Sequence, residues 1–139
     1  MRICLVIANY YPKISRDLIK GASILLRKNG VKNIKEIFVP GVLEIPFVVA
    51  RNIKKYDAFV VLGCVIKGKT PHFNFISEAT FNALMQLSIT YKKPIGNGII
   101  TCLNKKQAIE RSNLRKKNKG KEAANAILSV LGILKNVSR

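Results

Sequence analysis

His72 is the only histidine in a chain of 139 residues, and it directly follows Lys67-Gly68-Lys69-Thr70-Pro71. A glycine turn flanked by lysines and a hydroxyl makes an anion cradle when it feeds a helix N-terminus. The free backbone N–H groups and the helix dipole there add to the side-chain charge. An imidazole beside that cradle titrates near neutrality and can carry protons during a reaction. Glu44 lies in Pro40-Gly41-Val42-Leu43-Glu44-Ile45-Pro46. Its carboxylate could hold hydroxyl groups or a cation, or stand exposed at a helix start. Tyr10, in Asn9-Tyr10-Tyr11-Pro12, could stack on a flat ring or pack within its loop. Cys64 sits in an apolar run with only the loop lysines near enough to lower its pKa, which makes it a poor nucleophile.

The string Gly63-Cys64-Val65-Ile66-Lys67-Gly68-Lys69-Thr70 matches G-x-x-x-x-G-K-[ST], the phosphate-cradling P-loop pattern, letter for letter. A P-loop needs a flexible loop between its glycines, whereas Cys64, Val65 and Ile66 continue an apolar strand. Nucleotide hydrolysis also needs an acidic magnesium ligand, usually an Asp that ends another strand. Asp17 falls in a helical pattern and Asp57 precedes a strand, and there is no other aspartate. The anion-binding turn survives this test better than the nucleotide-hydrolysing reading does.

The elements around these residues can be read from hydrophobic periodicity. Ala58 to Ile66 is a near-continuous apolar run rich in β-branched residues, the pattern of a strand covered on both faces. Ile76, Ala79, Ala83, Leu84 and Leu87 then recur at helical spacing. Arg2 to Ala8 reads as a first strand. A helix follows, capped by Ser15 with Asp17 in its first turn, with Leu18, Ile19, Ala22, Leu25 and Leu26 on its apolar face and Gly30 closing it as a left-handed residue. Ile34 to Val39 is a strand, and Pro46 suits the first turn of a helix running to Lys54. Pro94 to Thr101 is a strand holding Gly96 and Gly98, which would let a ligand approach the backbone. Asn104 caps a short helix to Arg111, with Gln107 placed for a capping box. A last helix runs from Lys119 to Leu134, with Ala124, Ile127, Leu128, Leu131 and Leu134 inward.

Four strands alternating with helices predict a single-domain α/β fold over residues 1–139, a doubly wound, flavodoxin-like three-layer sandwich around a four-stranded parallel sheet. This length suits one domain with one full core. Open α/β sheets bind ligands at the carboxyl ends of their strands. Tyr10, the segment Val42 to Glu44, and the turn Lys67 to His72 all fall at such ends, so one pocket at one rim is expected.

The chain carries 25 lysines and arginines against 7 acids, a formal net charge of +18. Such a balance favours anionic partners, whether nucleic acid or small molecules. The lysines are scattered through every segment, alongside much Asn and Ile, as an AT-rich coding bias would produce. Only Arg111 to Lys121 (RSNLRKKNKGK) is a cluster, and without interleaved aromatics it argues against a base-stacking surface. Cys4, Cys64 and Cys102 form no C-x-x-C pair, so no zinc site is supported and buried thiols in a reducing cytoplasm are expected. No signal-peptide pattern precedes the first strand, and no apolar run reaches membrane-spanning length.

Five segments together resemble the motifs of the lumazine synthase (6,7-dimethyl-8-ribityllumazine synthase) family. They are Val39-Pro40-Gly41-Val42-Leu43-Glu44-Ile45-Pro46, Tyr56-Asp57-Ala58, Leu62 to Phe73, Gln107 to Arg111, and Asn118 to Ala124. The resemblance runs from residue 2 to 134 and accounts for the P-loop string as coincidence. It implies that a ribitylaminouracil condenses with dihydroxybutanone phosphate, releasing phosphate and water, with no metal or redox cofactor. By this resemblance His72 is the proton-transfer residue and Tyr10 covers the pyrimidine. Val42, Leu43 and Glu44 hold the uracil and ribityl parts, while Cys64, Val65 and Ile66 line the same site. Lys69 and Thr70 bind the ketose phosphate, Arg111 grips that phosphate from a neighbouring subunit, and Lys119 lies near it. Pentamers are implied, which in some relatives assemble twelve at a time into a capsid.

The chain departs from the family pattern at several positions. Asn97 stands where an aromatic or other apolar residue is common at the far wall of the pyrimidine site. Leu43 replaces a frequent aromatic and Lys69 a small residue, and Arg115-Lys116-Lys117 is more basic than the usual loop. Two rivals stay open at this point: a non-catalytic ligand-binding protein of the same fold, and a P-loop nucleotide-binding protein.

Overall fold

The structure, a computed structural model, describes residues 1–137, with side chains described up to residue 132. Four strands alternate with five α-helices in the order β1 (Arg2–Ala8), α1 (Pro12–Lys28), β2 (Asn33–Val39), α2 (Ile45–Asn52), β3 (Ala58–Ile66), α3 (His72–Tyr91), β4 (Ile95–Cys102), α4 (Lys105–Ser112) and α5 (Lys119–Val137). A short 3₁₀ turn, Val42–Glu44, leads into α2. All strand pairings are parallel, in the order β2-β1-β3-β4. The chain therefore reverses its direction of travel across the sheet between β1 and β3, the place where this sheet type opens a crevice at its carboxyl edge.

Alternation along the strands builds two cores. Ile3, Leu5, Ile7, Val60 and Leu62 face α1, α4 and α5, with Leu18, Ala22, Leu26, Ala108 and Ile127 opposite them. Cys4, Val6, Phe59 and Val61 face α2 and α3, with Ile45, Val49 and Leu84 opposite. This is the expected three-layer α/β sandwich. β1 and β3 are buried almost end to end because both of their neighbours are strands.

Several boundaries differ from the sequence reading for identifiable reasons. α1 begins at Pro12 rather than at Ser15, since a proline needs no N–H partner in a first turn. Ser15 lies inside the helix, buried, and its Oγ donates to the Ala8 carbonyl at 2.9 Å, tying α1 to the end of β1. Asp17 consequently falls beyond the first turn. Gly30 closes α1 with φ +87° as expected. Gln107 donates its backbone N–H to Asn104 Oδ1 at 2.9 Å, but its own side chain accepts from Leu103 rather than from Asn104. In α3 the residue facing the core is Thr80, with Ala79 exposed. Gly96 and Gly98 let α5 pack closely on β4. A Cβ on Gly96 would overlap the Ala123 carbonyl, and one on Gly98 would sit 3.3 Å from Ala123 Cβ and 2.6 Å from Leu62 Cδ2. Leu134 lies outside the described side chains.

Candidate functional site

The carboxyl edge of the sheet carries the chemistry. At the end of β3 the chain leaves the sheet at Lys67, whose N–H still donates to Cys102 O at 2.9 Å. Lys67, Gly68, Lys69, Thr70 and Pro71 are exposed and turn into α3. His72 is the first residue of that helix, exposed, and its N–H points to Thr70 Oγ1 at 3.4 Å. Lys69, Thr70 and His72 thus follow one another at a helix N-terminus, where N–H groups without intrahelical partners favour an anion. The P-loop string fails structurally: Gly63 to Ile66 are the last part of β3, with no loop between the glycines. A Cβ on Gly63 would meet Val42 Cγ1 at 2.9 Å and Ala8 Cβ at 3.0 Å, so this glycine admits the 3₁₀ turn against the sheet.

That turn supplies the next wall. Val42 is buried in the core, so its side chain anchors the turn. Leu43 and Glu44 are exposed beside the rim. Glu44 Oε1 accepts from the Gly41 N–H at 2.9 Å, which folds the carboxylate back over its own turn. Tyr10, 72% exposed after β1, stands edge-on to Tyr11 with ring centroids 4.9 Å apart. It lines a 290 Å³ groove with Lys13, Lys105 and Ile109. Cys64 and Val65 are buried on opposite faces of β3, and Ile66 is half-buried. Burial, and then the neighbouring Cys102 thiol, pushes the Cys64 thiol up to about 12. Burial likewise raises Cys102, although Arg111 pulls the other way. Both thiols are protonated at neutral pH, so Cys64 is a wall and not a nucleophile.

A second feature lies beyond the open edge of β4. A cleft of 330 Å³ is lined by Phe81, Asn97, Ile99, Ile100, Thr101, Arg111, Lys117, Lys119 and Glu122. Arg111 Nη1 donates to Thr101 O at 2.7 Å, which lays the guanidinium along the end of β4. Asn97 is exposed, and its Oδ1 accepts from the Ile99 N–H at 3.0 Å, closing a donor that an edge strand leaves free. Two lysines and an arginine converge there with one acid, the balance of a site for an anion rather than a cation. Asn97, Arg111 and Lys119 therefore share one cleft, whose lining includes none of Tyr10, Leu43, Glu44, Lys69, Thr70 and His72.

Sequence reasoning placed Asn118 in a family motif but missed its bridging role. Asn118 is 2% exposed. Its amide bonds α1, the end of α4 and the start of α5 together. An Asn just ahead of a helical run was its only sequence signal, and a partner 101 residues away leaves none. Among the described residues no group of three or more His, Cys, Asp or Glu side chains could hold a metal ion, and no helix is long and apolar enough to cross a membrane.

The sequence is similar to known proteins. The sequence model of one family, described as 6,7-dimethyl-8-ribityllumazine synthase, matches residues 1–135. A protein of that name from Bartonella bacilliformis is 42% identical, with 96% of this chain and 90% of the relative aligned. One from Bartonella tribocorum is 43% identical over 96% of this chain and 89% of the relative. One from Buchnera aphidicola subsp. Acyrthosiphon pisum is 38% identical over 99% of this chain and 89% of the relative. The chain belongs to the 6,7-dimethyl-8-ribityllumazine synthase family.

Proposed function

We propose that the protein condenses 5-amino-6-(D-ribitylamino)uracil with 3,4-dihydroxy-2-butanone 4-phosphate to 6,7-dimethyl-8-ribityllumazine in riboflavin biosynthesis, releasing phosphate and water. The observation that carries this is the family match over nearly the whole chain. It coincides with an exposed imidazole beside an anion-binding helix N-terminus.

Each residue takes the role that the family resemblance implies for it. Tyr10 presents an exposed aromatic face to the pyrimidine. The Val42–Leu43–Glu44 turn offers backbone groups to the uracil and the Glu44 carboxylate to the ribityl hydroxyls. Cys64, Val65 and Ile66 close the floor. Lys69 and Thr70 receive the phosphate of the ketose at the start of α3. His72, at the same helix start, moves the protons that imine formation and loss of phosphate require. Asn97, Arg111 and Lys119 complete the site from a neighbouring copy, Arg111 and Lys119 against the same phosphate.

A second copy is supported by the apolar surface that one chain leaves uncovered. Phe75 and Ile89 on α3 are 66% and 69% exposed, and Phe47 on α2 is 70% exposed. A pentamer is the assembly we infer, with a capsid of such pentamers as its larger form. Three buried free thiols fit the reducing cytoplasm. The test is turnover: purified protein with both substrates forms the lumazine chromophore well above a protein-free blank. Folded protein that binds the pyrimidine without accelerating its conversion would reduce this reading to a ligand carrier.

A further inference from the structure

Arg111 and Lys119 are separated by a seven-residue basic linker, Ser112 to Asn118, whose two ends meet at one side chain. Asn118 Nδ2 donates to Ser112 O at 2.7 Å and to Asp17 O at 3.0 Å, and its Oδ1 accepts from the Lys121 N–H at 2.9 Å. Every hydrogen atom of the amide is used, on two different elements, in a position 2% exposed to solvent. The site is built around this group. A Cβ on Gly21 of α1 would overlap Asn118 Oδ1, and a Cβ on Gly120 would overlap the Leu18 carbonyl. Ser112 is itself buried and held, its Oγ donating to Ala108 O at 2.9 Å. The linker tip bonds to itself, Arg115 N–H to Asn113 Oδ1 at 2.8 Å and Asn118 N–H to Lys116 O at 3.0 Å.

A helix cap needs only the Oδ1 acceptor, and Ser or Asp would provide it. The amide NH₂ group does something a cap does not: it fixes the carbonyl next to Arg111 to the residue before Lys119, and fixes both to α1. We propose that Asn118 is a positioning residue that sets the spacing of Arg111 and Lys119, and hence the affinity of the β4 cleft for the phosphate of the ketose substrate. The proposal rests on the phosphate role given above to Arg111. It places the control of that subsite in a buried amide that touches no substrate, with Gly21 as the second half of the device.

Two substitutions separate positioning from folding. Asn118→Asp keeps shape and cap but replaces the NH₂ group, with its two N–H donors, by one oxygen facing both carbonyls. Gly21→Ala displaces the same amide from α1. For each, and for Arg111→Ala as reference, KM is measured separately for the two substrates, together with kcat and Tm. The expected result for Asn118→Asp and Gly21→Ala is a rise of about ten- to a hundredfold in KM for the ketose phosphate, the scale of a misplaced binding group. KM for the pyrimidine stays unchanged. A lower Tm with neither KM altered, in protein where Arg111→Ala does raise the ketose KM selectively, overturns the proposal. An Arg111→Ala variant with no selective effect overturns the phosphate reading and this proposal with it. If Asn118→Asp does not fold, Gly21→Ala decides alone on the same criterion.

Discussion

At the scale of single residues the account depends on dividing the rate between placement and proton transfer. Holding two reactants together is worth up to roughly 7–11 kcal/mol in favourable cases. His72 then has to supply only the ~10²–10⁴-fold usual for a positioned acid or base. We expect His72→Ala to retain slow, measurable turnover with both substrates still bound, followed by chromophore formation. A rate indistinguishable from the blank at saturating substrate would contradict the division. The thiols give a second prediction. Burial pushes Cys4 and Cys64 up to about 12 from an ordinary 9.0. The unfolded chain therefore loses these protons before the folded chain does, and their contribution to stability is complete below about pH 9 and declines above it. Urea unfolding should show Cys4→Ala losing less stability than the parent between about pH 8 and about pH 10. An equal loss in both proteins would remove the thiol from the explanation. His72, Lys69 and Glu44 could be picked out as candidates in the sequence because their types and spacing suggest a chemistry. The bridging role of Asn118 could not, because it lies in contacts with Asp17 and Ser112 that only the fold brings near.

At the scale of elements, the strands were legible and the helix faces only partly. β1 and β3 show nearly uninterrupted apolar runs because both faces of each are covered, and such runs need no phase to be recognised. α3 is different. It carries Phe75, Met85 and Ile89 exposed on one side and Leu84 buried on the other, so apolar spacing alone could not say which face meets the sheet. Ala79 was assigned inward where Thr80 is. Thr80 Oγ1 is buried without a hydrogen-bond partner among the described residues. A buried hydroxyl left unpaired costs about 1–3 kcal/mol, and an apolar group of the same shape avoids that cost. Thr80→Val should therefore leave Tm unchanged or raise it, measured by thermal unfolding at fixed protein concentration. A clear fall in Tm would mean that the hydroxyl has a partner in the assembled protein. The start of α1 teaches a similar lesson. Ser15 has the chemistry of a cap, but Pro12 sets the helix start, which leaves the hydroxyl free to tie α1 to β1.

At the scale of the whole molecule, the sequence pointed to candidate site residues but not to which of them one chain can bring together. The strand order β2-β1-β3-β4 places β4 at an edge, with Arg111 and Lys119 in a cleft outside it, while His72 begins the helix after β3. Ketose phosphate bound at Lys69 and Thr70 would need its second set of cations from elsewhere, and a neighbouring copy has them to offer. The net charge of +18 then has one local use, although most of it is spread over the surface. Shared sites make a direct prediction. On the proposed reading, His72→Ala and Arg111→Ala remove groups that two different chains contribute to one site. When the two variants are co-expressed and form mixed oligomers, some sites receive the intact half of each. The measurement is lumazine formation by the purified mixed oligomers, at ketose phosphate below its KM for the Arg111→Ala protein, against each variant assembled alone. The account predicts that the mixture turns over faster than either variant. Activity no higher than the mean of the two, in confirmed mixed oligomers, would show that each chain carries its own complete site and would contradict it.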